Sequence, residues 1–265
     1  MGSGPKLTMI DVQNSKDDRQ IPIDKVGVKN IRYPIIVLDP KNEIQHTVAS
    51  INMYVNLPHE FKGTHMSRFI EVLNKHHGEI GINNFLGILE ELKAALAAEA
   101  AHVELDFPYF IQKKAPVSGE ESLMEYRLRY RGELGGSQRL FLVGVTVPVT
   151  TLCPCSKEMS ARGAHNQRGE VSILLQFTKF FWIEEVIQIV EDSASAPVYA
   201  LLKREDEQAV TERAYENPMF VEDVVREVTR KLAAHGNFPW FTVEAENFES
   251  IHNHSAYAMV EWGSR

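Results

Sequence analysis

Alternating apolar and polar positions mark the first strands. Ala49, Ile51, Met53, Val55 and Leu57 alternate with Ser50, Asn52, Tyr54 and Asn56, which predicts a half-buried strand within Gln45–Leu57, preceded by an extended run at Tyr33–Leu38. Met66, Phe69, Ile70 and Leu73 fall at helical spacing, with Thr64 placed to cap that helix and Gly78 after its end. A second helix starts at Asn84 and turns Phe85, Ile88, Leu89, Leu92 and Leu96 to one side. Strands follow at roughly 104–114 and at Leu123–Arg131, where Tyr126, Leu128 and Tyr130 alternate with three arginines.

The order then repeats. Phe141, Val143, Val145, Val147 and Val149 form an alternating strand, Gly169–Thr178 a second, and Trp182–Val190 a helix. Beyond an acidic segment (Glu205, Asp206, Glu207), Asn217 and Pro218 open a helix with Val221, Val224, Val225, Val228 and Leu232 inward. Strands at 238–246 and 254–262 complete the pattern. Each half reads strand–strand–helix–helix–strand–strand, a repetition of architecture without a residue-level repeat. The expected fold class is α+β, two modules with antiparallel sheets and helices on one face. The first module is expected at 31–137 and the second at 138–262. Residues 9–30 read as a polar arm, and 1–8 as a cloning scar before a native Met9.

Composition narrows the function. The 265 residues are 44% hydrophobic, enough for a core, and the formal net charge is -8. That acidic balance argues against a general nucleic-acid or membrane-surface binder. No apolar run approaches the roughly 18 residues of a membrane span. With only two cysteines, the chain has no disulfide framework, and a reducing cytoplasm is expected.

Both cysteines lie in Thr151-Leu-Cys-Pro-Cys-Ser-Lys157, and Gly163-Ala-His-Asn-Gln-Arg168 sets His165 twelve residues after Cys153. Cys153 can be a small buried hydrophobe, a nucleophile paired with a base, or a metal ligand with His165. Cys155 can complete a redox pair, though one intervening residue strains any shared chelate. His252 and His254 alternate in a turn and can converge on one ligand. Glu207 reads by default as solvated surface, and Glu222 as an acid suited to a helix start. Lys62, His65 and Arg68 surround another helix start, chemistry that suits phosphate as well as ordinary capping.

These motifs, with Gly63-Thr-His-Met-Ser-Arg-Phe69, Glu216-Asn-Pro-Met-Phe-Val-Glu-Asp223 and Ser250-Ile-His-Asn-His254, resemble bacterial GTP cyclohydrolase I of the metal-versatile type IB over essentially the whole native length. The resemblance implies the tunnelling fold, two ββααββ modules per chain, and a homotetramer with active sites at subunit interfaces. It implies hydrolysis of GTP to 7,8-dihydroneopterin triphosphate and formate, at the start of pterin and folate synthesis. Carried over by motif, Cys153, His165, Glu207 and His252 are the ligands of one divalent ion (zinc, manganese or iron) per site. Glu222 anchors guanine, His254 and Cys155 move protons, and Lys62, His65 and Arg68 are candidates for the triphosphate. Neither nucleic acid nor membrane is an expected partner. Two rivals remain at this stage: a tunnelling-fold nitrile reductase using NADPH and Cys153 as nucleophile, and a non-catalytic protein holding structural zinc.

Overall fold

The computed structural model describes residues 13, 15–76, 80–82 and 84–264. The scar assigned to 1–8, Met9 and Gly78 lie outside the described residues. The chain opens with strands β1 (Ile23–Asp39) and β2 (Glu43–Leu57), then helices α1 (Met66–Lys75) and α2 (Phe85–Ala95). Strands β3 (Ala100–Lys114), β4 (Glu121–Gly135) and β5 (Gln138–Leu152) follow, and a short helix α3 (Pro154–Met159) leads into β6 (Asn166–Gln176). Helix α4 (Ile183–Glu191), the two-residue β7 (Ala196–Pro197), helices α5 (Arg204–Glu216) and α6 (Val221–His235), and strands β8 (Trp240–Asn247) and β9 (Ala256–Gly263) complete it. Hydrogen-bonded neighbours run β1-β2-β3-β4-β5-β6-β8-β9, with β7 paired to β5. The pairs β5–β6, β6–β8 and β8–β9 are antiparallel.

The chain divides into two compact units. One comprises the residues up to Leu38, Val48–Leu105 and Arg131–Phe141; the other comprises Asp39–Thr47, Asp106–Tyr130 and the residues from Leu142 onward. In the first unit, Ala49, Ile51, Met53, Val55 and Leu57 are buried, as the alternation requires. Helix α2 buries Phe85, Ile88, Leu89 and Leu92, and its Phe85 ring stacks on Phe141 at 4.8 Å. That close approach needs Gly132, where a Cβ would come within 2.5 Å of the Phe85 ring and 2.6 Å of Leu89.

In the second unit, α6 buries Val221, Val224, Val225, Val228 and Leu232 against β8 and β9. Each such side chain contributes about 1.5–3 kcal/mol when fully removed from water. The result is an α+β fold with an antiparallel sheet and helices on one face.

Element ends differ from the sequence reading in several places, those of β1, β3, α1 and α5 among them. Strand β1 starts at Ile23 rather than Tyr33, because its first half buries almost nothing and so carries no alternation. Strand β3 starts at Ala100, where Ala101 and Val103 already point inward. In α1 the N-cap is His65, not Thr64, and the buried stripe is Phe69, Val72 and Leu73, leaving Met66 and Ile70 exposed. The acidic segment at 205–207 is the first turn of α5, a helix that buries only Asp206 and Ala214 and therefore lacks an apolar stripe.

Candidate active site

The hairpin of β5 and β6 pairs Thr151 with Gln167 and Leu152 with Asn166. One step further, the same register sets Cys153 opposite His165, and the Cys153 N–H donates to the His165 carbonyl at 3.1 Å. Directly opposed residues hold their Cβ atoms about 4.5–5.5 Å apart on the same face. The two donors, twelve residues apart in sequence, thus become cross-strand neighbours.

The residues between them are built to permit this. Cys153 is the N-cap of α3, and its Sγ accepts the Ser156 N–H at 3.4 Å. Pro154 takes the first helical position, where a missing N–H is not needed. The Lys157 N–H donates to the Cys153 carbonyl, and the His165 N–H donates to Ser156 Oγ, both at 3.1 Å. Gly163 turns the chain back with φ +79, a left-handed conformation that suits glycine.

Behind His165 lies Gln167, two residues on and on the same face. Its Nε2 donates to Thr151 Oγ1 at 3.0 Å, and its Oε1 lies 3.0 Å from His165 Nδ1. Ser250 Oγ is 3.5 Å from the same nitrogen, and the Phe248 N–H donates to the Arg168 carbonyl. These contacts bring the β8–β9 loop to this end of the sheet. The loop carries exposed His252 and His254, whose rings lie 5.3 Å apart at 22°.

A second segment adjoins the cysteine loop. The Met219 N–H donates to the Leu152 carbonyl at 3.0 Å, so the approach to α6 abuts the residue before Cys153. Glu222 is exposed in the first turn of α6. Lys157 ties α3 to the end of α5, donating to the Tyr215 carbonyl with its Nζ 4.4 Å from the ring centroid.

Glu207 is exposed on the first turn of α5, beside fully buried Asp206. The Asp206 carboxylate accepts the amides of Val117, Ser118 and Lys203 at 2.8 Å and the Ser118 hydroxyl at 2.6 Å. Burial alone pushes this carboxyl upward, but the bonds from Ser118, Lys203 and Val117 outweigh it and hold it well below the usual range. Asp206 thereby pins the β3–β4 turn to the start of α5 and fixes the backbone that carries Glu207.

Among the described residues, no group of three or more His, Cys, Asp and Glu side chains is arranged to hold a metal ion. Cys153 and His165 are united, and the loop of His252 and His254 is brought to them through Ser250. Glu207 forms no such cluster with them. The pair that is present fits a borderline divalent metal, since thiolate and imidazole are its preferred donors.

Lys62, His65 and Arg68 belong to the first unit. His65 and Arg68 line a cleft of about 200 Å³ with Asn56, Phe61, Gly63 and Thr64. Arg68 Nη1 donates to the Ala95 carbonyl at 3.2 Å, and Lys62 is exposed.

A family model described as type I GTP cyclohydrolase folE2 matches residues 9–258. The chain belongs to this family. Every candidate residue named above falls inside the matched stretch. Proteins named GTP cyclohydrolase FolE2 are similar along nearly their whole length. The one from Syntrophotalea carbinolica is 62% identical over 97% of this chain and 96% of its own. That from Syntrophus aciditrophicus is 62% identical over 96% and 99%, and that from Geobacter metallireducens 59% over 96% and 97%. Among solved structures, a uricase from Bacillus fastidious aligns with TM-score 0.55 at 8% identity, covering 90% of this chain and 92% of that one. A uricase from Arthrobacter globiformis aligns at 0.52 and 8%, covering 91% and 95%. At such identity the likeness is one of fold.

The sequence reading of this cyclohydrolase missed Thr151, Ser156, Lys157, Gln167, Asp206 and Ser250. Gln167 carried a usable signal, its two-residue spacing from His165. Lys157 and Ser250 act across turns that no local pattern specifies.

Proposed function

We propose that this enzyme is a metal-dependent GTP cyclohydrolase I that converts GTP to 7,8-dihydroneopterin triphosphate and formate, the first step of pterin and folate synthesis. Water adds at C8 of guanine, formate leaves, and the ribose carbons close the new ring. The observation that carries the reading is the cross-strand Cys153–His165 pair, set beside the segment that leads to Glu222.

In this reading Cys153, His165, Glu207 and His252 hold one zinc, manganese or iron ion. Such an ion, when bound, lowers the pKa of water so that hydroxide is available near neutral pH. Glu222 accepts from the guanine ring N–H and exocyclic amine, a bidentate role natural to a carboxylate. His254 and Cys155 move protons during ring opening. Lys62, His65 and Arg68 hold the triphosphate.

The chain is of type IB and takes the tunnelling fold with two ββααββ modules, the first opening with β1 at Ile23 rather than at residue 31, so that the polar arm from residue 9 ends before Ile23, and the second spanning 138–262. The subunits form a homotetramer whose interfaces assemble the sites, with neither nucleic acid nor membrane as partner. No helix among the described residues is long and apolar enough to cross a membrane, and a cytoplasmic location is part of the proposal.

The test is to load the protein with zinc or manganese, add GTP, and measure formate together with the fluorescent neopterin formed on oxidation. Equal yields of both are expected. Metal-loaded protein that releases no formate would overturn the reading.

A further inference from the structure

We infer that Gln167 is a positioning residue that selects the metal-binding tautomer of His165, with Thr151 anchoring its amide; this rests on the reading of His165 as a ligand. Gln167 and Thr151 are 7% and 0% exposed and stand directly opposite each other in the β5–β6 register. A glutamine on the buried face of β6, which otherwise carries Gly169, Val171, Ile173 and Leu175, needs partners, because an unpaired amide there is costly. It has two: Nε2 donates to Thr151 Oγ1, and Oε1 faces His165 Nδ1, each at 3.0 Å.

The second contact decides the chemistry. A neutral imidazole has one N–H and one lone-pair nitrogen, and a carbonyl oxygen can only accept. With Oε1 facing it, Nδ1 carries the proton, and Ser250 Oγ at 3.5 Å is placed to share that N–H. The lone pair then lies on Nε2, on the side of the ring away from Gln167. A rotated amide would present its NH₂ to Nδ1, move the proton to Nε2 and remove the ligand. The partner that fixes a ligating histidine's other nitrogen sets both its tautomer and its orientation. Cys153 needs no such tautomer-fixing partner, because a thiolate has no second ring nitrogen to set.

Thr151, Gln167, His165 and Cys153 thus form one unit, written into two strands by a period of two and by antiparallel register.

The experiment labels histidine with ¹⁵N and compares metal-free wild type with a His165→Asn control, in slightly alkaline buffer, to identify the His165 ring signals. The Nδ1–H form is expected to dominate in wild type and to lose its dominance in Gln167→Met. Zinc affinity, measured by competition with a chromogenic chelator, is expected to fall about 10–100-fold in Gln167→Met. Gln167→Glu, which can only accept at that position, is expected to stay within a few fold of wild type, whereas a purely structural role predicts that both variants fail together. Thr151→Val is expected to weaken zinc binding in the wild-type background and to add little in Gln167→Glu.

Wild-type His165 protonated on Nε2 would overturn the inference without recourse to any variant, as would unchanged zinc affinity in Gln167→Met. If wild type binds no metal while His165 shows the Nδ1–H form, the metal reading fails and the tautomer assignment stands.

Discussion

The buried ion pair of Lys113 and Glu191 offers a sharp test of how the second unit holds its site. Lys113 Nζ donates to Glu191 Oε1 at 2.6 Å and to the Val198 carbonyl at 2.8 Å, and lies 4.3 Å from the centroid of the Tyr199 ring. The Tyr126 hydroxyl donates to the same Oε1 at 2.7 Å. The two charged side chains are only 12% and 7% exposed. Burial lowers the Lys113 pKa, and the attraction of Glu191 works against that fall. The segment this network anchors matters for the cysteine loop. Ser195 Oγ accepts the Leu152 N–H at 3.0 Å, and the Ala194 carbonyl accepts Asn217 Nδ2 at 2.9 Å.

Lys113→Met keeps most of the length of the side chain, one heavy atom short, and removes the charge. Glu191 is then left buried with Tyr126 as its remaining partner, and breaking such a pair costs about 3–5 kcal/mol. At roughly 2–4 °C per kcal/mol for a chain somewhat smaller than this one, the melting temperature should fall by about 10 °C. Lys113→Met/Glu191→Gln removes the stranded charge but leaves an acceptor for Tyr126, so most of the loss should return. Urea and thermal unfolding at neutral pH measure both. A single variant that loses less than about 1 kcal/mol, or a double variant less stable than the single, would refute the reasoning.

Glu222→Gln should keep metal and fold but lose roughly 10–100-fold in turnover, the worth of about 1.5–3 kcal/mol for a charge-assisted bond; wild-type kinetics would place the guanine anchor elsewhere. Cys155 is exposed on α3 while Cys153 is half-buried, so Cys155→Ser should retain full metal content, and metal loss would make Cys155 a ligand. Asp39 turns the β1–β2 connection by accepting the amides of Lys41 and Asn42 at 2.8 Å. Burial raises its pKa, but the bonds from Asn42 and Lys41 outweigh it, so the folded value lies below the ordinary one. Its stabilisation is complete above the unfolded value of about 3.9 and is lost as pH falls through the folded one. Urea midpoints below about pH 4 should therefore fall more steeply in wild type than in Asp39→Asn, and equal slopes would contradict this.

The elements that bury one clear face could be read from sequence. In β2, α2, β4, β5 and α6, the residues that alternate or recur at helical spacing are the ones the structure buries, except Leu96, which caps the end of α2 and is only half-buried. Where burial is slight, the pattern vanishes. Half of β1 is exposed, and α5 is polar on nearly every side, so neither announced its extent. The cysteine loop was visible as chemistry but not as a helix, because six residues cannot show a period. Cys153 and His165 stood out by residue type; that they oppose each other follows from a register that sequence fixes only through the whole hairpin. Glu207 stood out only through the family motif, and its neighbour Asp206, which holds the turn, carries no signal beyond an acidic helix start.

The central claim is that Cys153 and His165 form the metal centre at which the guanine ring of GTP is opened. The most direct measurement is bound metal per chain alongside formate released from GTP, for wild type, Cys153→Ala and His165→Asn, with folding checked by thermal unfolding. The prediction is that both variants fold, bind little metal and release no formate, while wild type binds metal and releases formate with the pterin product. A folded Cys153→Ala variant that releases formate at the wild-type rate would contradict it.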